Sequence, residues 1–113
     1  MQKPSRGDVW FVELDPTRGR EQAGRRPALI VSVNQFNYGP AELVVVIPIT
    51  TRDKNIPFHV KINPPEGGLR EISFIKCEDI RSVSKERLIK FSGRISNNIF
   101  LLIEDRLKIL LNL

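Results

Sequence analysis

Apolar residues in this chain come first in short Val- and Ile-rich runs and then, near the end, at helical spacing. Val9–Leu14 is apolar-rich and lies between the turn formers Gly7-Asp8 and Asp15-Pro16, which predicts a strand. The polar, glycine-bearing stretch Thr17–Arg26 that follows is far too long for a tight hairpin turn. Ala28–Val33 and Glu42–Ile49 are predicted strands suited to burial on one or both faces. Asn34–Pro40 connects them, with Asn37, Gly39 and Pro40 as turn formers. Phe58–Ile62 alternates, so that Phe58, Val60 and Ile62 share one face and His59 and Lys61 the other. Pro64–Gly68 reads as a loop and Ile72–Cys77 as another strand. Ile80–Val83 extends the same sheet, followed by one helical turn that Ser84 caps.

From Ile99 the period changes. Ile99, Ile103, Leu107 and Leu110 recur as a helical stripe, with Glu104, Asp105, Lys108 and Asn112 opposite and Ser96 or Asn97 as the cap. Leu101, Leu102, Ile109 and Leu111 widen the apolar surface beyond one stripe, so cover is expected from the sheet on one side and from a second subunit on another. Short strands, long loops and one terminal helix predict an α+β fold built on a small barrel, with residues 1–113 as one domain.

Composition excludes several chemistries. The lone Cys77 forms no internal disulfide and fits a reducing cytoplasm, where it should pack as a small buried hydrophobe. With one cysteine and one histidine, a single chain can build neither a Cys/His zinc cage nor a two-histidine ribonuclease site. Neither a Walker loop nor a dinucleotide fingerprint occurs among the seven glycines, so no metal or cofactor is expected. Met1–Arg6 lacks the apolar region of a leader, and the longest apolar stretch, Leu43–Ile49, falls far short of the roughly 20 residues of a membrane span. A cytoplasmic protein is expected.

Charge sharpens the picture. Eighteen Lys and Arg stand against thirteen Asp and Glu, and eleven of the eighteen are arginines, which grip phosphate bidentately. Between Pro16 and Pro27, Arg18, Arg20, Arg25 and Arg26 face only Glu21. Such a patch points to a polyanion such as nucleic acid; the competing reading is a solvated loop. Arg26 directly precedes Pro27, which biases it to extended backbone at the mouth of a strand. Thr50, Thr51 and Arg52 end the most apolar strand, and if the two segments converge, Arg26 and Thr50 meet at the barrel's rim. Glu21 and Gln22 suit base edges or a sugar hydroxyl, whereas Arg18, Arg20 and Arg25 suit phosphate contact. The bland alternatives are an Arg26 that merely pairs with a carboxylate and a Thr50 that is an ordinary strand residue. Alternation sends one of Trp10 and Phe11 into the core and leaves the other to stack on a base. His59 is expected to be exposed or hydrogen-bonded.

Three segments carry a resemblance: Arg6-Gly7-Asp8-Val9-Trp10, the run Asp15-Pro16…Gly19-x-Glu21-Gln22-Ala23-Gly24-x-Arg26-Pro27-Ala28, and Pro48-Ile49-Thr50-Thr51. Together they resemble the MazF/PemK family of mRNA interferases, the toxin halves of toxin–antitoxin pairs. The likeness extends through Glu78-x-Ile80-Arg81-Ser82-Val83, Arg87-Leu88 and the terminal helix, nearly the whole chain. It implies a homodimer with an SH3-like barrel of the CcdB/MazF type and a C-terminal helix. It further implies metal-independent cleavage of single-stranded RNA to 2′,3′-cyclic phosphate and 5′-hydroxyl ends, with Arg26 and Thr50 catalytic. RNA contacts then fall on Arg18, Arg20, Glu21, Gln22, Arg25, Thr51 and Arg52, and a MazE-like antitoxin is the expected partner. Arg20 and Arg25 depart from the commoner family pattern, in which serine and a less basic residue are frequent. A gyrase-poisoning toxin on the same barrel and a non-catalytic RNA-binding barrel are the alternative functions.

Overall fold

The computed structural model describes residues 2–113; Met1 lies outside it. β1 (Asp8–Glu13), β2 (Arg25–Ile30) and β3 (Leu43–Thr50) lie side by side and antiparallel, with one helical turn, α1 (Asn34–Asn37), between β2 and β3. Their runs are apolar at consecutive positions because both faces of this part of the sheet are covered. Val9, Leu29, Ile47 and Ile49 enter one core, whereas Trp10, Val12, Ala28, Ile30, Val44 and Val46 enter the other. β4 (His59–Ile62) and β5 (Ser73–Lys76) supply Val60, Ile62 and Ile75 to the first core. β6 (Arg81–Ser84) and β7 (Leu88–Arg94) supply Val83, Leu88 and Phe91 to the second.

The seven strands form one sheet of order β4-β5-β3-β2-β1-β7, with β6 joined to β3. β3 is its pivot. One edge carries β2; the other is divided, Leu43–Val46 holding β6 and Ile49-Thr50 holding β5. The sheet is antiparallel at each of these pairings, and the chain ends in α2 (Asn97–Leu111), as the change of period predicts. Ser96 caps α2 by accepting from the Ile99 N–H, and Asn112, at φ 56°, stops it in the left-handed region. Ile103 is fully buried against the sheet, with Ile99 and Leu107 packed beside it. Leu101 and Ile109, 63% and 61% exposed, lie off that stripe. Among the described residues no helix is long and apolar enough to cross a membrane.

Most strand ends fall within a residue or two of the sequence-based expectation, and three features differ more. β2 begins at Arg25 and ends at Ile30, not at Ala28 and Val33, because Arg25 and Arg26 pair with Glu13 and Val12 of β1. The connector Asn34–Pro40 contains α1, where buried Asn37 donates to the Ser32 carbonyl at 2.8 Å. Most instructive is β7, which the hydrophobic pattern conceals. Leu88 lies opposite Val12 and Phe91 opposite Trp10, but two register shifts skip Ile89 and Ser92. Bulges thus bring residues three apart onto one face, and the period-2 signature is lost. The turn between β6 and β7 is as expected, with Ser84 accepting from the Glu86 N–H at 3.3 Å.

Candidate active site

The β2–β3 register runs Ala28 opposite Pro48, Leu29 opposite Ile47 and Ile30 opposite Val46. The pairing ends at Ala28 and Pro48, and Arg26 and Thr50, each two residues beyond, line one cleft at that end of the sheet. Arg26 alternates with Ala28 and Ile30, and Thr50 with Pro48 and Val46, so both lie on the sheet face that holds the second core. β5 adds a third group to this face: Phe74 opposes Thr50, and two residues on stands Lys76. The convergence of the Arg26 and Thr50 segments therefore follows from strand register. Arg26, Thr50 and Lys76 line one cleft of about 490 Å³ with Arg20, Gln22 and Lys54. Arg26 and Thr51 also wall an adjoining depression of about 630 Å³ that reaches Phe11, Arg70 and Lys90.

Within the cleft, Arg26 is exposed, and its Nε donates to the Ala23 carbonyl at 3.2 Å. That bond steadies the guanidinium while leaving its terminal nitrogens to the cleft. No ion pair among the described residues engages Arg26, which removes the reading of it as a mere salt-bridge partner. Thr50 is 5% exposed, and its Oγ1 accepts from the Arg52 N–H at 3.2 Å, leaving its own O–H to donate.

The loop between β1 and β2 forms the far wall and is tied at several points. Glu21 accepts from the Arg18 N–H at 2.7 Å, and Asp15 accepts from the Gly24 N–H at 3.1 Å. Gly24, at φ 77°, makes the turn into β2 in a conformation that glycine adopts without strain. The strongest tether is at Gln22. Its N–H donates to Asp79 Oδ2 at 2.8 Å, its carbonyl accepts from Arg81 at 2.7 Å, and its side-chain Oε1 accepts from Lys76 Nζ at 3.3 Å. Asp79 in turn lies 3.2 Å from Arg81 and 3.7 Å from Lys76.

These contacts sort the basic residues. Arg25 pairs with Glu13 at 3.1 Å and lines only the outer depression. Glu21 lies 3.8 Å from Arg81. Among the described residues the side chains of Arg18, Arg20, Arg52 and Lys54 form no ion pair, so this end of the sheet is cationic. Sequence reading does not single out Lys54, Lys76 or Asp79. Lys76 is visible there as a charge inside the apolar run Ile72–Cys77; Lys54 and Asp79 carry no signal that separates them from other polar residues.

Trp10 is the core member of its pair: its ring meets Phe91 edge-on at 6.0 Å, and its Nε1 donates to buried Asp8. Phe11 is half-buried, with Lys90 Nζ 5.4 Å from its ring centre. His59 is not exposed; its side chain is enclosed, with Nε2 2.7 Å from a Glu78 carboxylate oxygen. Cys77 is fully buried, and burial, reinforced by the neighbouring Glu78 charge, pushes its thiol up to about 12. Such a thiol is inert at neutral pH.

Comparison with known proteins now decides the family. The sequence model of the family described as PemK-like, MazF-like toxin of type II toxin–antitoxin system matches residues 5–111. The chain belongs to this family. It is 34% identical over 113 residues to endoribonuclease MazF9 of Mycobacterium tuberculosis, covering 96% of each sequence. Its fold is similar to the crystal structure of MazF from Deinococcus radiodurans, with TM-score 0.87, 27% identity and full coverage of both chains. A mycobacterial endoribonuclease in complex with its cognate antitoxin is also similar, at TM-score 0.78 and 26% identity over 100% of this chain and 97% of that one.

Proposed function

We propose that this MazF-like toxin is a metal-independent endoribonuclease in which Arg26 and Thr50 carry the chemistry. The observation behind this reading is an arginine without a carboxylate partner beside a buried threonine in a cationic cleft. In the reaction a ribose 2′-oxygen attacks the adjacent phosphorus, the 2′-proton is removed, and the 5′-oxygen leaves with a proton. Products carry 2′,3′-cyclic phosphate and 5′-hydroxyl ends. No external nucleophile is required, so the protein has to orient the reacting groups in line and stabilise the phosphorane charge. Arg26 suits the second of these roles, because its guanidinium stays charged, with a pKa above about 12, and presents two terminal nitrogens. Thr50 Oγ1 suits a hydrogen bond to a phosphoryl oxygen or to the 2′-hydroxyl. Arg18, Arg20, Thr51 and Arg52 then contact phosphates, Arg25 extends that track, Glu21 orders the loop and Gln22 faces a base.

The divided edge of β3 and the two cores on either side of it support a finer architecture, an SH3-like barrel formed by residues 1–113 as one domain. A homodimer is supported by the exposed leucines and isoleucines of α2. A cytoplasmic location and an antitoxin partner of the MazE type follow from the family. An acidic antitoxin segment would compete with RNA for the same arginines, so the two would bind in mutually exclusive fashion.

The deciding experiment incubates the purified protein with mixed-sequence RNA in excess EDTA and sequences the ends. Cut RNA with cyclic phosphate ends is expected. Removing one transition-state interaction typically lowers the rate about 10²–10³-fold, which sets the expectation for Arg26→Ala at unchanged melting temperature. Thr50→Ala should lower turnover strongly with a smaller effect on binding. Near-wild-type turnover in folded Arg26→Ala would move the active site elsewhere.

A further inference from the structure

Lys76 is an unusual occupant of its strand. It sits on β5 with 5% of its surface exposed, between Ile75 and Cys77, which enter the first core from the opposite face. A methionine or leucine there would satisfy the sheet without desolvating an ammonium. Instead the ammonium is held 3.3 Å from Gln22 Oε1 and 3.7 Å from Asp79. Lysine can only donate, so this contact fixes which way the Gln22 amide faces: Oε1 towards Lys76, Nε2 away from it. Nε2 has no hydrogen-bond partner among the described residues, and Gln22 lines the cleft beside Arg26 and Thr50. Asp79 and Arg81 fix the backbone of the same residue on both sides. Gln22 is thus immobilised before any ligand arrives, which spares the ordering cost of a flexible side chain.

From this we infer that Lys76 is a specificity-determining residue that makes Gln22 a pure donor towards RNA bases. The inference rests on the endoribonuclease reading of the cleft. A free glutamine reads adenine bidentately, using its oxygen on the exocyclic amine and its nitrogen on N7. Because Oε1 faces Lys76 while Nε2 faces away from it, oxygen and nitrogen do not present side by side to one adenine edge, and that mode is closed. At the C4 or C6 substituent of a base, the exposed NH₂ rewards the keto oxygen of uracil or guanine and meets the amine of cytosine or adenine donor to donor. At one position of the target, uracil or guanine should therefore be preferred over adenine or cytosine.

The test is cut-end sequencing of a randomised RNA with wild-type, Lys76→Met, Lys76→Arg and Gln22→Glu proteins, alongside thermal melts. One hydrogen bond gained against one donor clash corresponds to a preference of about tenfold at that position in the wild type. Lys76→Met should flatten it to within about twofold while leaving other positions unchanged, and Lys76→Arg, still a donor, should restore it. Gln22→Glu retains the Lys76 contact but offers an acceptor, so it should reverse the preference towards adenine and cytosine, even if Lys76→Met proves poorly folded. Anisotropy with uncleavable 2′-deoxy-substituted oligonucleotides reads the same preference without turnover. Selective binding without cleavage would overturn the endoribonuclease reading and support this inference. A folded Lys76→Met protein with the wild-type cleavage pattern, or a wild-type protein with no keto preference at any position, would overturn the inference itself.

Discussion

Replacing Asp79 with alanine removes the one carboxylate paired with Lys76 and the nearer of the two paired with Arg81. Asp79 accepts from the Gln22 N–H at 2.8 Å and from Arg81 at 3.2 Å, and lies 3.7 Å from Lys76 Nζ. The side chains of Asp79, Lys76 and Arg81 are only 14%, 7% and 17% exposed, so water cannot readily replace the missing carboxylate. Breaking a buried ion pair by deleting one partner typically costs about 3–5 kcal/mol. The Gln22 oxygens still bond Lys76 and Arg81, which places Asp79→Ala near the lower end, at about 3 kcal/mol. For a domain of this size that corresponds to a fall in Tm of roughly 12 °C. Thermal melts followed by circular dichroism at matched protein concentration read it directly. Adding Lys76→Met should recover part of the loss, because a methionine in the same place no longer leaves an ammonium short of a partner. If Asp79→Ala melts within about 2 °C of wild type, or if the double variant is no more stable than the single one, the tether is not an energetic unit.

Three further outcomes are expected. Arg18→Ala and Arg20→Ala should weaken RNA binding and reduce the salt slope by about 0.7 for each phosphate no longer neutralised, whereas an unchanged slope would favour the solvated-loop reading. Gly93→Ala should destabilise the protein by more than about 2 kcal/mol in a urea titration, since its Cβ would meet the Gly67 and Gly68 backbone atoms at 2.6 Å; near-wild-type stability would contradict the seating of the Glu66–Gly68 turn on β7. The Cys77 thiol should stay unreactive to a disulfide reagent at pH 8 until the chain unfolds, and fast labelling of the native protein would refute its burial. Because its pKa is raised from 9.0 to about 12, it contributes stability that is present below pH 9 and lost as pH rises towards 12.

Elements whose signal is local are legible in the chain. The stripe from Ile99 to Leu110 and the capping Ser96 specify α2 with no knowledge of its neighbours. The apolar run of β1 and the Val- and Ile-rich run of β3 announce strands, and Arg26-Pro27 marks an arginine on extended backbone. The run of glycines and arginines before it points to an anionic ligand, and its likeness to a toxin family is readable residue by residue. β7 is not legible, because two bulges against β1 erase the alternation by which a strand is recognised.

What remained for the tertiary structure to decide is which groups meet. Arg25 and Arg26 are adjacent in sequence, yet one pairs with Glu13 across β1 and the other is left to the cleft. Composition counts them alike; strand alternation points them apart. Thr50 and Arg26 line one cleft only because β2 and β3 lie side by side, with Ala28 opposite Pro48. Gln22 and Lys76 stand 54 residues apart, and only the docking of the β1–β2 loop against β5 turns a charge in an apolar run into the group that orients an amide. Periodicity and propensity act over a few neighbouring residues and are written in the chain; the pairing of distant charges depends on strand register, which arises when both faces of the sheet are buried together.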